Sequence, residues 1–190
     1  NIYGLDAKRD FARLLEDVEG WLGGDYIEIH KPLHTENAMP AMYNLGPVTG
    51  KWDYKDAHGA LIACVYRYDP EGGKEFRPWD VKTRKYQAPN QRPLYNQLGM
   101  LTTKQVILVE GEKYAQSLIN IDICATTAMN GAKAPIDKTD WSPLAGKEVL
   151  IWPDKDKPGW EYAENVANAL QEAGVTSLAI LFPPDDRPEK

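Results

Sequence analysis

Two short apolar runs in this chain, Val106-Ile-Leu-Val109 and Val149-Leu-Ile-Trp152, each break off at carboxylates: Glu110 after the first, Asp154 and Asp156 after the second. Continuous apolar runs of this length suit strands covered on both faces, as in a parallel sheet, whereas strands with one wet face alternate apolar and polar residues. Helical sequence follows each run, so the chain reads as strands and helices in alternation, with parallel pairing and right-handed crossovers. In open sheets of this kind ligands bind in the crevice outside the carboxyl ends of the strands. Glu110, Asp154 and Asp156 are therefore expected to converge at one edge. Three carboxylates at close quarters repel one another, and a divalent cation is the usual way to keep such a cluster ionised at neutral pH.

From residue 104 onward the pattern predicts a strand over 105–109, a helix over about 112–120, a strand over 121–126 and an irregular stretch through 131–146. A strand over 148–152, a helix over about 158–173 and a strand over 177–182 follow. Gly174 stops the long helix, and Ala163, Val166, Ala167 and Leu170 supply its inward stripe. Upstream, residues 51–95 read as an antiparallel meander, with turn signals at 56–59 and 69–73. It carries Arg67, Lys74, Arg77, Lys82, Arg84, Lys85 and Arg92 among Tyr66, Tyr68, Phe76, Trp79 and Tyr86. Cations among aromatic rings suit a single-stranded nucleic acid, whose phosphates meet the charges while bases stack on the rings. A solvated sheet face with a few core aromatics accounts for the same residues equally well. Residues 6–22 place Phe11, Leu14, Leu15, Val18, Trp21 and Leu22 at helical spacing, which predicts a packing helix, and residues 25–48 read as an irregular connector.

The net charge of −6 hides an uneven distribution. Residues 1–50 carry 4 basic and 8 acidic side chains, residues 51–104 carry 10 and 6, and residues 105–190 carry 8 and 14. A partner touching one face responds to this local sign. Cys64 and Cys124 have no Cys-x-x-Cys spacing and read as small core residues. His30 and His34 are four apart, but Pro32 between them argues against the helix that a metal pair would need. No apolar run approaches the roughly 20 residues that cross a bilayer. The expectation is a segment of a longer, soluble, cytoplasmic protein without a membrane partner.

Val109-Glu110-Gly111-Glu112-Lys113, the later Asp154-x-Asp156 and Gly159 at the next helix resemble a TOPRIM domain, the metal-dependent fold of primases, topoisomerases and some nucleases. The resemblance covers residues 104–184. Arg92-Pro-Leu-Tyr95 and Lys138-Thr-Asp-Trp-Ser-Pro-Leu-Ala-Gly146 further resemble primase-like replication proteins of phages, plasmids and integrated elements. The resemblance implies an α/β Rossmann-like parallel sheet flanked by helices, preceded by a small antiparallel β subdomain and an N-terminal helix. The expected division is 1–50 for helix and connector, 51–103 for the basic subdomain and 104–190 for the catalytic domain.

The resemblance also implies Mg²⁺ or Mn²⁺ on Asp154 and Asp156, with Glu110 as a further ligand or as general base or acid. Held cations neutralise phosphate oxygens while a hydroxyl attacks in line. Lys113 sits in the first turn of its helix, an unfavourable place for a cation unless it reaches an anion, either a phosphate or the neighbouring Glu110 or Glu112. Lys133 is placed to approach phosphate in the same way. Bacterial replicative primases have an acid in the first turn of this helix, where the present chain has Lys113-Tyr114. The leading expectation is RNA primer synthesis from nucleoside triphosphates on a single-stranded DNA template. Arg67, Arg77, Lys82, Arg84, Lys85, Arg92 and Lys133 would hold nucleic acid, and a helicase domain or replication proteins would be partners. Strand cleavage by a TOPRIM nuclease, and a non-catalytic DNA-binding module, are the alternatives. Solvated acids at helix N-termini would explain the carboxylates without any metal.

Overall fold

The computed structural model of the protein describes residues 45–181, so the expected helix over 6–22, most of the connector, and His30 and His34 lie outside the described residues. Strands β1 (Val48–Lys55), β2 (Leu61–Tyr68) and β3 (Glu75–Asp80) form an antiparallel sheet in the order β1-β2-β3. A single helical turn, α1 (Gln97–Met100), leads into β4 (Gln105–Val109), α2 (Glu112–Ile119) and β5 (Ala125–Thr126). After three short 3₁₀ turns come β6 (Glu148–Trp152), α3 (Lys157–Glu172) and β7 (Ser177–Ile180). The second sheet is wholly parallel, in the order β5-β4-β6-β7. The architecture is the expected TOPRIM-like α/β fold with a small antiparallel sheet.

Chain direction explains where a ligand would enter this sheet. From the central pair β4 and β6, one crossover through α2 leads outward to β5 and the other through α3 leads outward to β7, in opposite directions. The strand order therefore reverses between β4 and β6, and a crevice opens outside the carboxyl ends of strands at such a switch point. Alternation along β4 divides the core accordingly. Val106 and Leu108 join Val149 and Ile151 of β6 against Tyr162, Ala163, Val166 and Leu170 of α3. Ile107 and Val109 face the other way, toward Ala115 and Leu118 of α2. Tyr54, Ala63 and Val65 of the antiparallel sheet join this second cluster, so both sheets belong to one compact unit. Each fully buried aliphatic side chain here stabilises the fold by roughly 1.5–3 kcal/mol relative to an exposed one.

The strand expected over 121–126 is confined to Ala125–Thr126. The preceding residues are consumed in closing α2: the Asp122 and Ile123 amides donate to the carbonyls of Ile119 and Leu118 at 3.0 Å each. Asp122 takes a left-handed φ of 62° to complete that turn. Cys64 is buried, and burial pushes its thiol pKa up to about 11. Among the described residues no helix is long and apolar enough to cross a membrane.

Candidate functional site

Glu110 follows the last residue of β4, and the turn that begins α2 depends on the residue after it. Gly111 has φ 133° and ψ 154°, a conformation open to glycine and strained for residues with a Cβ. Its amide donates to Thr127 Oγ1 at 2.9 Å, and Thr127 is completely buried just beyond β5. Neighbouring strands thus fix where Glu110 stands. Its Oε1 accepts the Asp154 amide at 2.8 Å, which ties the end of β4 to the end of β6 across the switch point.

Asp156 approaches the same place by a different route. It is the N-cap of α3, in extended conformation, and its Oδ1 accepts the Gly159 amide at 2.8 Å. This is a common use of aspartate at a helix start. Gly159 forms the floor between the two acids. A Cβ built on it would lie 2.7 Å from Glu110 Oε1 and 3.1 Å from Asp156 Oδ1, and inside van der Waals contact of the Asp154 carbonyl oxygen. Glycine is needed here for space.

The structure brings Glu110 and Asp156 to one cradle through their side chains and Asp154 through its backbone. Among the described residues no group of three His, Cys, Asp or Glu side chains closes on one point. One turn along α3 from Gly159, the Tyr162 hydroxyl is buried and has no hydrogen-bond partner among the described residues. Burial, with Glu110 nearby, raises its pKa far above the usual phenol value. A buried phenol donor in the field of Glu110 is a group that a bound polar atom can satisfy. Carboxylate oxygens on either side of Gly159 are the hard donor type that Mg²⁺ takes. That cation keeps several waters and is usually held by one or two carboxylates plus substrate phosphates. Glu110 and Asp156, with Asp154 at the rim, are the residues that could hold it.

The expected basic residues fall into separate groups. Lys113 and Lys133 are both exposed. A Cβ on Gly131, two residues before Lys133, would lie 3.6 Å from the Glu110 carbonyl, so the loop carrying Lys133 packs on the acidic edge. In the antiparallel sheet Arg67 is paired with Phe76 and Arg77 with Tyr66, and directly paired residues share a face while successive ones alternate. Arg67 and Arg77 therefore stand on opposite faces. Each also makes an ion pair at 2.7 Å, Arg67 with Asp69 and Arg77 with Glu75. Lys82, Arg84 and Lys85 are exposed together on the turn after β3, which Asp80 organises by accepting the Lys82 amide at 2.9 Å. Arg92 bridges to the loop before β6: its amide donates to Lys138 at 2.7 Å and its carbonyl accepts from Asp140 at 2.9 Å. Its Nε and one terminal nitrogen are buried without a partner among the described residues.

Neither a protein-family model nor a curated protein matches the sequence. Among solved structures, the chain is similar to the zinc-binding and RNA polymerase domains of the Aquifex aeolicus primase. The TM-score is 0.59 at 19% identity, over 92% of this chain and 44% of that one. The fold is primase-like. The DnaG primase catalytic domain bound to ssDNA and the E. coli primase catalytic core also match, each at TM-score 0.48 and 16% identity over 72% of this chain. The chain spans less than half the length of these solved chains.

Three residues of this primase-like edge escaped sequence reasoning. Glu112 reads from the sequence as part of a motif and as a candidate partner for Lys113, yet it is buried and its carboxylate accepts the Tyr54 hydroxyl at 2.7 Å. Burial raises its pKa, against the pull of that hydrogen bond. Trp152 and Tyr114, both substantially exposed, line a cavity of about 240 Å³ beside Glu110. An aromatic residue closing an apolar strand directly before Pro-Asp was the available signal for Trp152.

Proposed function

We propose that the protein is the catalytic segment of a DNA primase of the mobile-element type, making RNA primers on single-stranded DNA from nucleoside triphosphates as part of a longer polypeptide. The observation that carries this reading is the hydrogen bond from the Asp154 amide to Glu110, with Asp156 Oδ1 on the other side of Gly159. It ties the Glu110 carboxylate at the end of β4 to the backbone at the end of β6, at the switch point of a primase-like sheet. Support for the mobile-element type comes from the two motif segments around Arg92 and Thr139, which pair with each other in a parallel bridge.

Mg²⁺ or Mn²⁺ held by Glu110, Asp156 and Asp154 would neutralise charge on the triphosphate during attack by a hydroxyl. Glu110 stands within a rigid frame, so it orients that charge or accepts the hydroxyl proton with little rearrangement. Lys113 and Lys133 lie on the two segments flanking Glu110 and would meet phosphates that approach this edge. Lys82, Arg84 and Lys85 form a compact basic turn for the template backbone. Arg67, Arg77 and Arg92 have local partners or buried atoms, and their part in template binding rests on rearrangement or on the exposed remainder of each group.

Incubating the chain with single-stranded DNA, labelled ribonucleoside triphosphates and Mg²⁺ or Mn²⁺ tests this reading. Short labelled primers are the expected product, and Glu110→Gln is expected to reduce their yield about a hundredfold or more, the scale of a lost acid–base group. Retained synthesis in that variant would remove Glu110 from the chemistry. Nicked DNA in place of primers would assign the site to strand cleavage.

A further inference from the structure

Two exposed aromatic rings stand beside the acidic edge without a ring partner among the described residues. Trp152 closes β6 with 39% of its surface exposed, and Tyr114 in the first turn of α2 is 49% exposed. Two other aromatic side chains among the described residues, Phe76 and Tyr86, are comparably exposed, but Phe76 lies against Trp52 and Tyr86 against Trp79 and Tyr66. Trp152 is in register with Val109, one residue before Glu110 on the adjacent strand. Val149 and Ile151 are buried against α3, so the pleat turns Trp152 to the α2 side of the sheet, where Tyr114 lies. Leaving such rings in water costs free energy that packing elsewhere would have avoided.

Tyr114 and Trp152 line the cavity of about 240 Å³ together with Val109, Leu118, Pro153 and Glu110. This is below the roughly 300–1,000 Å³ of pockets that enclose a whole drug-sized ligand, so it suits one flat ring system rather than an entire nucleotide. Its walls are mainly apolar, and the two acids that line it, Glu110 and Asp154, repel a phosphate inside it. A heteroaromatic ring with N–H donors satisfies both conditions, because its faces meet Trp and Tyr while its donors meet carboxylate oxygen.

We propose that Trp152 and Tyr114 form a stacking site for a single nucleobase, seated beside the carboxylate edge. This deepens the reading of that edge as a phosphoryl-transfer site and rests on it. The base comes either from the DNA strand or from an incoming nucleoside triphosphate, and both present the same faces and donors. Stacking of this kind tolerates any base, since each has a π-face.

The test uses the full chain with fluorescence anisotropy of a labelled oligo(dT), an abasic oligomer of equal length as a second probe, and adenosine triphosphate with Mn²⁺ as a third. Trp152→Ala is expected to weaken binding of a base-bearing ligand about tenfold, as removal of one stacked ring does. It is expected to leave the abasic oligomer unchanged, and Trp152→Phe is expected to recover most of the loss. A loss confined to oligo(dT) assigns the base to the strand, and a loss confined to the triphosphate assigns it to the substrate. Unchanged binding of both ligands by Trp152→Ala and Tyr114→Ala would overturn the site, as would equal weakening of the abasic oligomer. Primer synthesis by the wild-type chain alongside unchanged binding by the variants would remove this pocket alone. Base-dependent binding without any cation-dependent synthesis would instead remove the catalytic reading and leave a nucleic-acid-binding pocket.

Discussion

Gly159→Val is expected to abolish the proposed primer synthesis at least as completely as Glu110→Gln, and to lower the urea midpoint of unfolding as well. The reason lies in the three atoms that meet above Gly159. A Cβ would press on Glu110 Oε1 at 2.7 Å, on Asp156 Oδ1 at 3.1 Å and, most closely, on the Asp154 carbonyl oxygen. Carboxylates can rotate away from a methyl group, but the carbonyl belongs to the backbone that joins β6 to α3. Relief therefore requires moving one of those elements, and overpacking of this kind typically costs about 1–3 kcal/mol. Alanine at this position has an opposing advantage in helix propensity of up to about 1 kcal/mol, which is smaller than the clash. Gly159→Ala is accordingly expected to show the same two losses in weaker form. Urea unfolding and labelled-nucleotide incorporation on both variants check this, and an alanine variant of wild-type stability and activity would mean that the cradle relaxes freely.

What could be read from the sequence was whatever depended on order along the chain. Apolar runs ending at Glu110 and Asp154, and a stripe on the long helix, lead to a parallel sheet with its acidic edge at the carboxyl ends, and the strands lie there. Face assignments in the antiparallel sheet were beyond reach, because they depend on register. Arg67 and Arg77 look like neighbours on a basic surface, yet pairing with Phe76 and Tyr66 sends them to opposite sides. The form of the acidic cluster was also hidden. Asp154-x-Asp156 suggests two side chains side by side, whereas the turn uses the Asp154 amide toward Glu110 and the Asp156 carboxylate as a helix cap. A helix cap and a cation ligand draw on the same residue type at the same kind of position, so spacing alone cannot separate them. Burial of Glu112 was invisible for a related reason: its partner, Tyr54, is 58 residues away in the antiparallel sheet.

That distant pair supports the second large effect. Tyr54 is fully buried, its ring lies edge-on to Tyr95 at 5.4 Å, and its hydroxyl donates to Glu112 at 2.7 Å. Tyr54→Ala is expected to cost about 3–5 kcal/mol from the cavity left by a large aromatic, with a further cost for the carboxylate it abandons. Tyr54→Phe isolates that second part: the ring stays, and a buried acid loses its donor at about 1–3 kcal/mol. Glu112→Met removes the acceptor at similar volume, so the four proteins form a double-mutant cycle with an expected coupling of about 0.5–3 kcal/mol. Strict additivity in urea unfolding would show that the contact contributes nothing of its own. The consequence for the acidic edge follows from connectivity. Glu112 opens α2 directly after the Gly111 turn, so the hydroxyl of Tyr54 anchors the helix end from which Glu110 is aimed. Tyr54→Phe should therefore lower the turnover of the proposed primer synthesis more than it weakens the proposed triphosphate binding. Equal effects on both would place Tyr54 in the scaffold without influence on the position of Glu110.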